Sequence, residues 1–129
     1  MDSDILVVDD SAAIRKILTR VLRQTGMAIQ TIYEAGDGQD ALAVMAQHRI
    51  DLVLSDINMP KMDGLQLLAA LKASPQWRSI PVVMITTEGG ETKVAEAVRL
   101  GAAGYVRKPF TADQIKEKLV GILELAVTL

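Results

Sequence analysis

The stretch that most constrains the fold is a short, largely apolar run, residues 52–55, which ends on the carboxylate of Asp56 shortly before Pro60. A run of this length between turn signals is typical of a buried strand in a parallel sheet. Ligands bind at the carboxyl ends of such strands, so a chemical role is predicted for Asp56. The alternative is an aspartate that only caps the following turn.

The rest of the sequence alternates strand-like and helix-like segments. Further strands are predicted at residues 4–8, 29–34, 81–85 and 104–106. The segments between them carry apolar residues at helical spacing; the first helix has Ile14, Ile17, Leu18, Val21 and Leu22. Five strands that alternate with five helices predict an α/β fold. Right-handed crossovers then give a doubly wound parallel sheet of flavodoxin-like type, with strand order 2-1-3-4-5.

Local signals predict where several helices begin. Ser11 is a good N-cap for the first helix, and Asp63 with Gly64 opens the third. Thr111 and Gln114 have the spacing of a capping box on the last helix. One side of the fourth helix is predicted to carry Val94, Ala97, Val98 and Gly101.

The composition fits one compact domain over residues 1–129. The chain is 50% hydrophobic and has no cysteine, so it offers neither a disulfide nor a thiolate metal site. A net charge of −2 with interspersed signs gives no basic stripe for nucleic acid. The N-terminus is acidic and no uncharged run exceeds ten residues, so neither a secretory signal nor a membrane segment is predicted. We expect a cytoplasmic protein that binds neither nucleic acid nor membranes.

Polar or ionisable side chains follow four of the predicted strands. Asp9 and Asp10 follow the first strand, Asp56 the third, Thr86 the fourth and Lys108 the fifth. The predicted strand order makes these ends neighbours at one edge of the sheet. Three gathered carboxylates repel one another and favour a bound cation, and an all-oxygen donor set suits Mg²⁺. The added lysine and hydroxyl could neutralise a phosphoryl group, with an Asp56 oxygen as the nucleophile.

In this order and spacing, these residues resemble the signature of bacterial response-regulator receiver domains over nearly the whole chain. The motifs are Asp9-Asp10, Ser55-Asp56, residues 59–64, Thr86 and Lys108-Pro109-Phe110. The resemblance implies a two-component signalling switch rather than an enzyme. Its phosphoryl group would come from a sensor histidine kinase or a histidine phosphotransfer domain.

The resemblance also implies how the site works. Asp56 would be the phosphoacceptor. Mg²⁺ would be bound by Asp10, Asp56 and the backbone carbonyl of Asn58, while Asp9 would hold a metal-bound water. These four residues form the expected metal site.

Further residues are implied to act as the switch. Lys108 would clamp the phosphoryl group and be joined to Pro109 by a cis peptide bond, which proline allows at low cost. Thr86 would follow the phosphoryl group inward, and Tyr105 would turn from solvent towards the core. Helix four, strand five and helix five would then form the face that binds a downstream protein. A monomer is expected, with a dimer through that face as an alternative.

Two positions suggest the subtype. Asn58 and Glu88 match the pair that adjusts water access to the acyl phosphate in this family, and the combination resembles single-domain chemotaxis-type regulators. Thr87 occupies a position where the family often has Ala or Gly. Its larger side chain is predicted to narrow access to Asp56.

Three rival functions share parts of this pattern. A haloacid-dehalogenase-type phosphatase would need a second aspartate where this chain has Asn58. A flavodoxin-type electron carrier would need a hydroxyl-rich loop where Asp9 and Asp10 would repel a phosphate. A receiver fold could also serve as an interaction module that works without phosphorylation. Taken singly, Lys108 could be a surface lysine and Tyr105 an edge aromatic residue.

Overall fold

Strands and helices alternate strictly along the part of the chain that the computed structural model describes, residues 3–87 and 91–128. The strands are β1 (Ser3–Val8), β2 (Ile29–Ala35), β3 (Leu52–Asp56), β4 (Val82–Thr86) and β5 (Gly104–Arg107). The helices are α1 (Ala12–Gln24), α2 (Gly38–Gln47), α3 (Gly64–Ala73), α4 (Glu91–Arg99) and α5 (Ala112–Thr128). None of the helices in these residues is long and apolar enough to cross a membrane.

The strands form one parallel sheet in the order β2-β1-β3-β4-β5, which confirms the predicted topology. In the register of the central strands, Val8 lies opposite Ser55, and Asp56 lies opposite Ile85. The carboxyl ends of β1, β3 and β4 therefore lie side by side at one edge. Thr86 was expected to follow β4 but is its last residue, paired with Arg107 of β5.

Helices cover both faces of the sheet, which explains why its central strands are almost continuously apolar. On one face, the buried side chains of α2, α3 and α4 pack against Leu6, Val8 and Val53. On the other face, those of α1 and α5 pack against strand residues such as Ile5 and Leu54. The sheet is thus held between two hydrophobic clusters, and its carboxyl edge remains available for polar side chains.

The predicted capping residues make the expected hydrogen bonds. The Ser11 hydroxyl accepts from a backbone amide in the first turn of α1. Asp63 and Gln66 exchange backbone and side-chain hydrogen bonds of 2.9 and 3.0 Å at the start of α3. Thr111 and Gln114 do the same at 2.9 and 3.2 Å before α5. Each pair satisfies amides that have no partner inside the helix.

Three predicted core positions were wrong. Ile17 of α1 is 41% exposed and Val98 of α4 is 58% exposed. Ile17 precedes the buried Leu18, and Val98 follows the buried Ala97. Because a step of one residue turns a helix by about 100°, each exposed side chain lies on a different side of its helix from its buried neighbour. Gly101 is not part of α4 but lies beyond its end, with φ of +102°. These helices contact the sheet over a narrower stripe than their apolar residues suggest.

Candidate functional site

Three carboxylates meet at the carboxyl edge of the sheet. Asp56 ends β3, while Asp9 and Asp10 directly follow β1, and one carboxylate oxygen of each lies within 4.8 Å of the others. Asp9 is 1% exposed and Asp56 9% exposed, whereas Asp10 is open to solvent. An all-oxygen, strongly acidic donor set of this kind fits a hard divalent cation such as Mg²⁺.

Lys108 supplies a positive charge beside these acids. Its Nζ lies 3.1 Å from Asp9 Oδ2 and 3.5 Å from Asp56 Oδ1. The chain places it there just after β5, where its backbone amide donates to the Thr86 carbonyl and the peptide bond to Pro109 is cis. One ammonium faces three carboxylates, so the site keeps an excess of negative charge that a cation would balance.

Asp56 has a pKa above its ordinary value. Burial is the largest cause, because it disfavours the charged carboxylate. The positive charge of Lys108 lowers the pKa, whereas the negative charge of Asp9 raises it. The Ile57 amide donates to Asp56 Oδ1 at 2.9 Å, and this hydrogen bond also lowers the pKa. A second positive charge at the site would favour the ionised form that a nucleophile needs.

The residues predicted to act as the switch lie near this edge. Thr86 is buried, and its hydroxyl donates to the Thr87 carbonyl at 3.2 Å, while the Thr87 side chain is exposed. Tyr105 of β5 is 37% exposed, and the Nζ of Lys118 lies 5.7 Å from the centre of its ring. The tyrosine is therefore in the outward position. Glu88 lies outside the described residues.

Two cationic contacts at the site had no signal in the sequence. Arg15 of α1 donates from Nη1 to the Asp9 carbonyl at 2.6 Å and pairs with Glu34 at 3.0 Å. Lys93 of α4 donates from Nζ to Asn58 Oδ1 at 2.5 Å, across 35 sequence positions. Such contacts depend on how far a long side chain reaches between elements, which helical spacing does not reveal.

Gly64 brings α3 directly against the loop that follows Asp56. Its amide donates to the Ile57 carbonyl at 2.8 Å. A Cβ at this position would lie 2.1 Å from the Asp56 carbonyl oxygen and 2.9 Å from the Ile57 Cα. The glycine predicted to open the helix thus also allows the close packing that fixes the backbone around Asp56.

Fold and site together define a doubly wound α/β domain with a buried aspartate, a lysine and an acidic cluster suited to a cation and a phosphoryl group. Residues 5–120 match the model of the response regulator receiver domain family. The chain is 40% identical over 120 residues to the chemotaxis protein CheY of Pseudomonas aeruginosa, covering 93% of this chain and 95% of that protein. It is 41% identical over 120 residues to CheY-3 of Vibrio cholerae, covering 93% and 91%.

Solved structures agree with this similarity. The chemotaxis response regulator CheY4 of Vibrio cholerae superposes with a TM-score of 0.78 at 33% identity, covering 98% of this chain and 99% of that one. A response regulator from Chloroflexus aurantiacus gives a TM-score of 0.88 at 26% identity, covering 96% and 99%. The chain belongs to the response-regulator receiver family. It is a phosphoaccepting switch of two-component signalling, with a histidine kinase and downstream targets as partners.

Proposed function

We propose that Asp56 is the phosphoacceptor and that the chain is a chemotaxis regulator. One observation carries the first part: the Asp56 carboxylate lies at the end of β3, within 4.8 Å of two further carboxylates and 3.5 Å from the Lys108 ammonium. The chemotaxis assignment is supported by 40% and 41% identity to chemotaxis proteins over 93% of the chain.

The reaction uses the ionised form of Asp56. A carboxylate oxygen attacks the phosphorus of a phosphohistidine on a sensor kinase or a histidine phosphotransfer domain. The O–P bond forms as the P–N bond breaks, and the bonding electron pair returns to the imidazole nitrogen. Water later cleaves the acyl phosphate and restores Asp56, so the chain accepts a group rather than acting as an enzyme on an external substrate.

The charges around Asp56 indicate the roles of Lys108 and of the acidic residues at the site. Lys108 is held by Asp9 and Asp56 at 3.1 and 3.5 Å, close enough for its ammonium to donate to a phosphoryl oxygen on Asp56. Asp9, Asp10, Asp56 and the Asn58 backbone carbonyl would hold Mg²⁺. When bound, the metal supplies positive charge that offsets the phosphoryl oxygens.

The output face consists of α4, β5 and α5. It exposes two large apolar residues, Val98 and Tyr105, which suits a protein target. We assign Thr86 and Tyr105 to the link between Asp56 and this face, with Asn58, Thr87 and Glu88 adjusting access of water and small phosphodonors. The chain acts as a monomer in the cytoplasm, where it meets its kinase.

Intact-mass measurement after incubation with acetyl phosphate and Mg²⁺ tests the site. Wild type should gain one adduct of about 80 Da, the mass of HPO₃, and chelation of Mg²⁺ beforehand should prevent it. Asp56→Asn should gain none, whereas Asp113→Asn, a change at an exposed carboxylate of α5, should label like wild type. An unlabelled wild type would instead favour an interaction module that works without phosphate.

A motility assay tests the chemotaxis assignment separately. Expression in a Pseudomonas aeruginosa strain that lacks its CheY should restore spreading in soft agar with the wild-type chain and not with Asp56→Asn. Labelling without restored motility would leave the phosphoacceptor assignment intact and place the chain in another pathway.

A further inference from the structure

A lysine of α4 reaches the loop that carries the proposed metal-binding carbonyl. Lys93 Nζ donates to Asn58 Oδ1 at 2.5 Å, and Asn58 is two residues from Asp56. Both Lys93 and Asn58 are exposed, whereas Asp56 is buried. Lys93 therefore lies at the solvent side of the Asp56 site, while Lys108 lies inside it.

The two lysines differ in what neutralises their charge. Lys108 is paired with two buried carboxylates. Among the described residues, Lys93 forms no ion pair, although Glu96 follows it by one helical turn, and its partner is an uncharged amide oxygen. A phosphoryl oxygen carries a negative charge that attracts the ammonium, whereas the amide oxygen carries none, so this ammonium would exchange the amide for an anion that enters the site.

We propose that Lys93 is a donor-binding residue at the entrance to the Asp56 site. Its ammonium leaves Asn58 Oδ1 and binds a phosphoryl oxygen of the incoming phosphodonor, so that the site favours dianionic donors. The inference rests on the proposed function of Asp56. The two cations then hold the phosphoryl group from different elements, Lys108 from the end of β5 and Lys93 from the first turns of α4.

Labelling by two phosphodonors of different charge tests this role. At pH 7 acetyl phosphate is a dianion, whereas phosphoramidate carries less negative charge. Lys93→Met keeps most of the side-chain length but removes the ammonium, and it should slow labelling by acetyl phosphate about fivefold at low ionic strength, the upper end of what one solvent-exposed ion pair contributes. Labelling by phosphoramidate should change by less than about twofold, and Lys93→Arg should restore the wild-type rate.

The dependence of the labelling rate on salt concentration distinguishes an electrostatic role of Lys93 from a structural one. Raising the ionic strength from about 0.01 to 0.5 M should reduce the difference between wild type and Lys93→Met, because the Debye length shortens from about 30 Å to below 8 Å. A slowing that is equal for both donors and independent of salt would overturn the proposal, since it would indicate only a displaced loop.

Arg78→Met is the matched control. It removes one positive charge from an exposed residue that precedes β4, at the opposite edge of the sheet from Asp56. Its labelling rate should stay near that of wild type, and a slowing equal to that of Lys93→Met would contradict a local role. Asp56→Asn in the same series separates the two proposals: label on this variant would contradict the phosphoacceptor assignment, whereas equal rates for wild type and Lys93→Met would contradict only the role of Lys93.

Discussion

Replacement of Lys108 by Met should destabilise the metal-free protein by about 2 kcal/mol at pH 7. The ammonium lies 3.1 and 3.5 Å from two buried carboxylates, and at an effective dielectric constant of about 20 each such attraction is worth about 5 kcal/mol. Desolvation of the lysine cancels much of this, and breaking a fully buried pair typically costs about 3–5 kcal/mol. The Lys108 side chain is 19% exposed, which lowers the expected loss to about 2 kcal/mol.

Mg²⁺ should reverse most of this loss, because the metal replaces the missing positive charge. At about a hundred times its dissociation constant a ligand stabilises the folded state by about 2.7 kcal/mol. Lys108→Met should gain more than wild type, since the ammonium no longer opposes the cation electrostatically. The difference between the two proteins should therefore fall below about 1 kcal/mol at saturating Mg²⁺.

Urea denaturation with and without Mg²⁺ measures both effects. Lys72→Met is the matched control, because the Lys72 ammonium donates to the carbonyls of Arg78 and Ile80, at 3.1 and 3.3 Å, rather than to carboxylates. Its loss of stability should be the same in both conditions. If Mg²⁺ left the Lys108→Met deficit unchanged, the acidic cluster would not be the metal site.

Three further changes test other parts of the site. Burial raises the Asp56 pKa above its ordinary value of 3.8, so the folded state binds more protons than the unfolded state at pH values between 3.8 and the pKa in the folded protein. Metal-free wild type should therefore gain stability as the pH falls through that range. Asp56→Asn should lack this gain in urea titrations. Thr87→Ala should be labelled faster by acetyl phosphate, and equal rates would contradict a steric role. Gly64→Ala should lose about 3 kcal/mol, because its Cβ would lie 2.1 Å from the Asp56 carbonyl oxygen. Gly121→Ala in α5, where nothing lies within 4 Å of the added Cβ, should keep or gain stability by thermal denaturation.

The sheet could be predicted from the sequence because its strands are buried on both faces. Such strands appear as short apolar runs bounded by turn residues, and each observed strand lies within one residue of its predicted limits. A polar residue at the end of a run then marks the carboxyl edge, as Asp56 does after residues 52–55. The strand order 2-1-3-4-5 is that of the flavodoxin-like fold, and this order makes the polar ends of the strands neighbours, so the sequence also predicts that the site residues lie together.

Helix orientation could not be predicted equally well. Ile17 and Val98 fit an apolar stripe, yet both are exposed because the contact of each helix with the sheet is narrower than the stripe. The reach of long side chains between elements is also absent from local patterns. For that reason neither the bond from Arg15 to the Asp9 carbonyl nor the bond from Lys93 to Asn58 was predicted.

The positions of the two lysines connect the chemistry of Asp56 to the proposed output face. Lys108 directly follows β5 and Lys93 belongs to α4, so the cations that would hold a phosphoryl group lie on or next to two of the three elements of that face. A ligand shifts an equilibrium only through its different affinity for the two states, and a change from 1:99 to 99:1 takes about 5.5 kcal/mol. Hydrogen bonds to charged groups contribute about 1.5–3 kcal/mol each. Because Lys108 and Lys93 already have partners in this structure, their bonds to a phosphoryl group contribute to switching only by as much as they are stronger in one state of the output face than in the other.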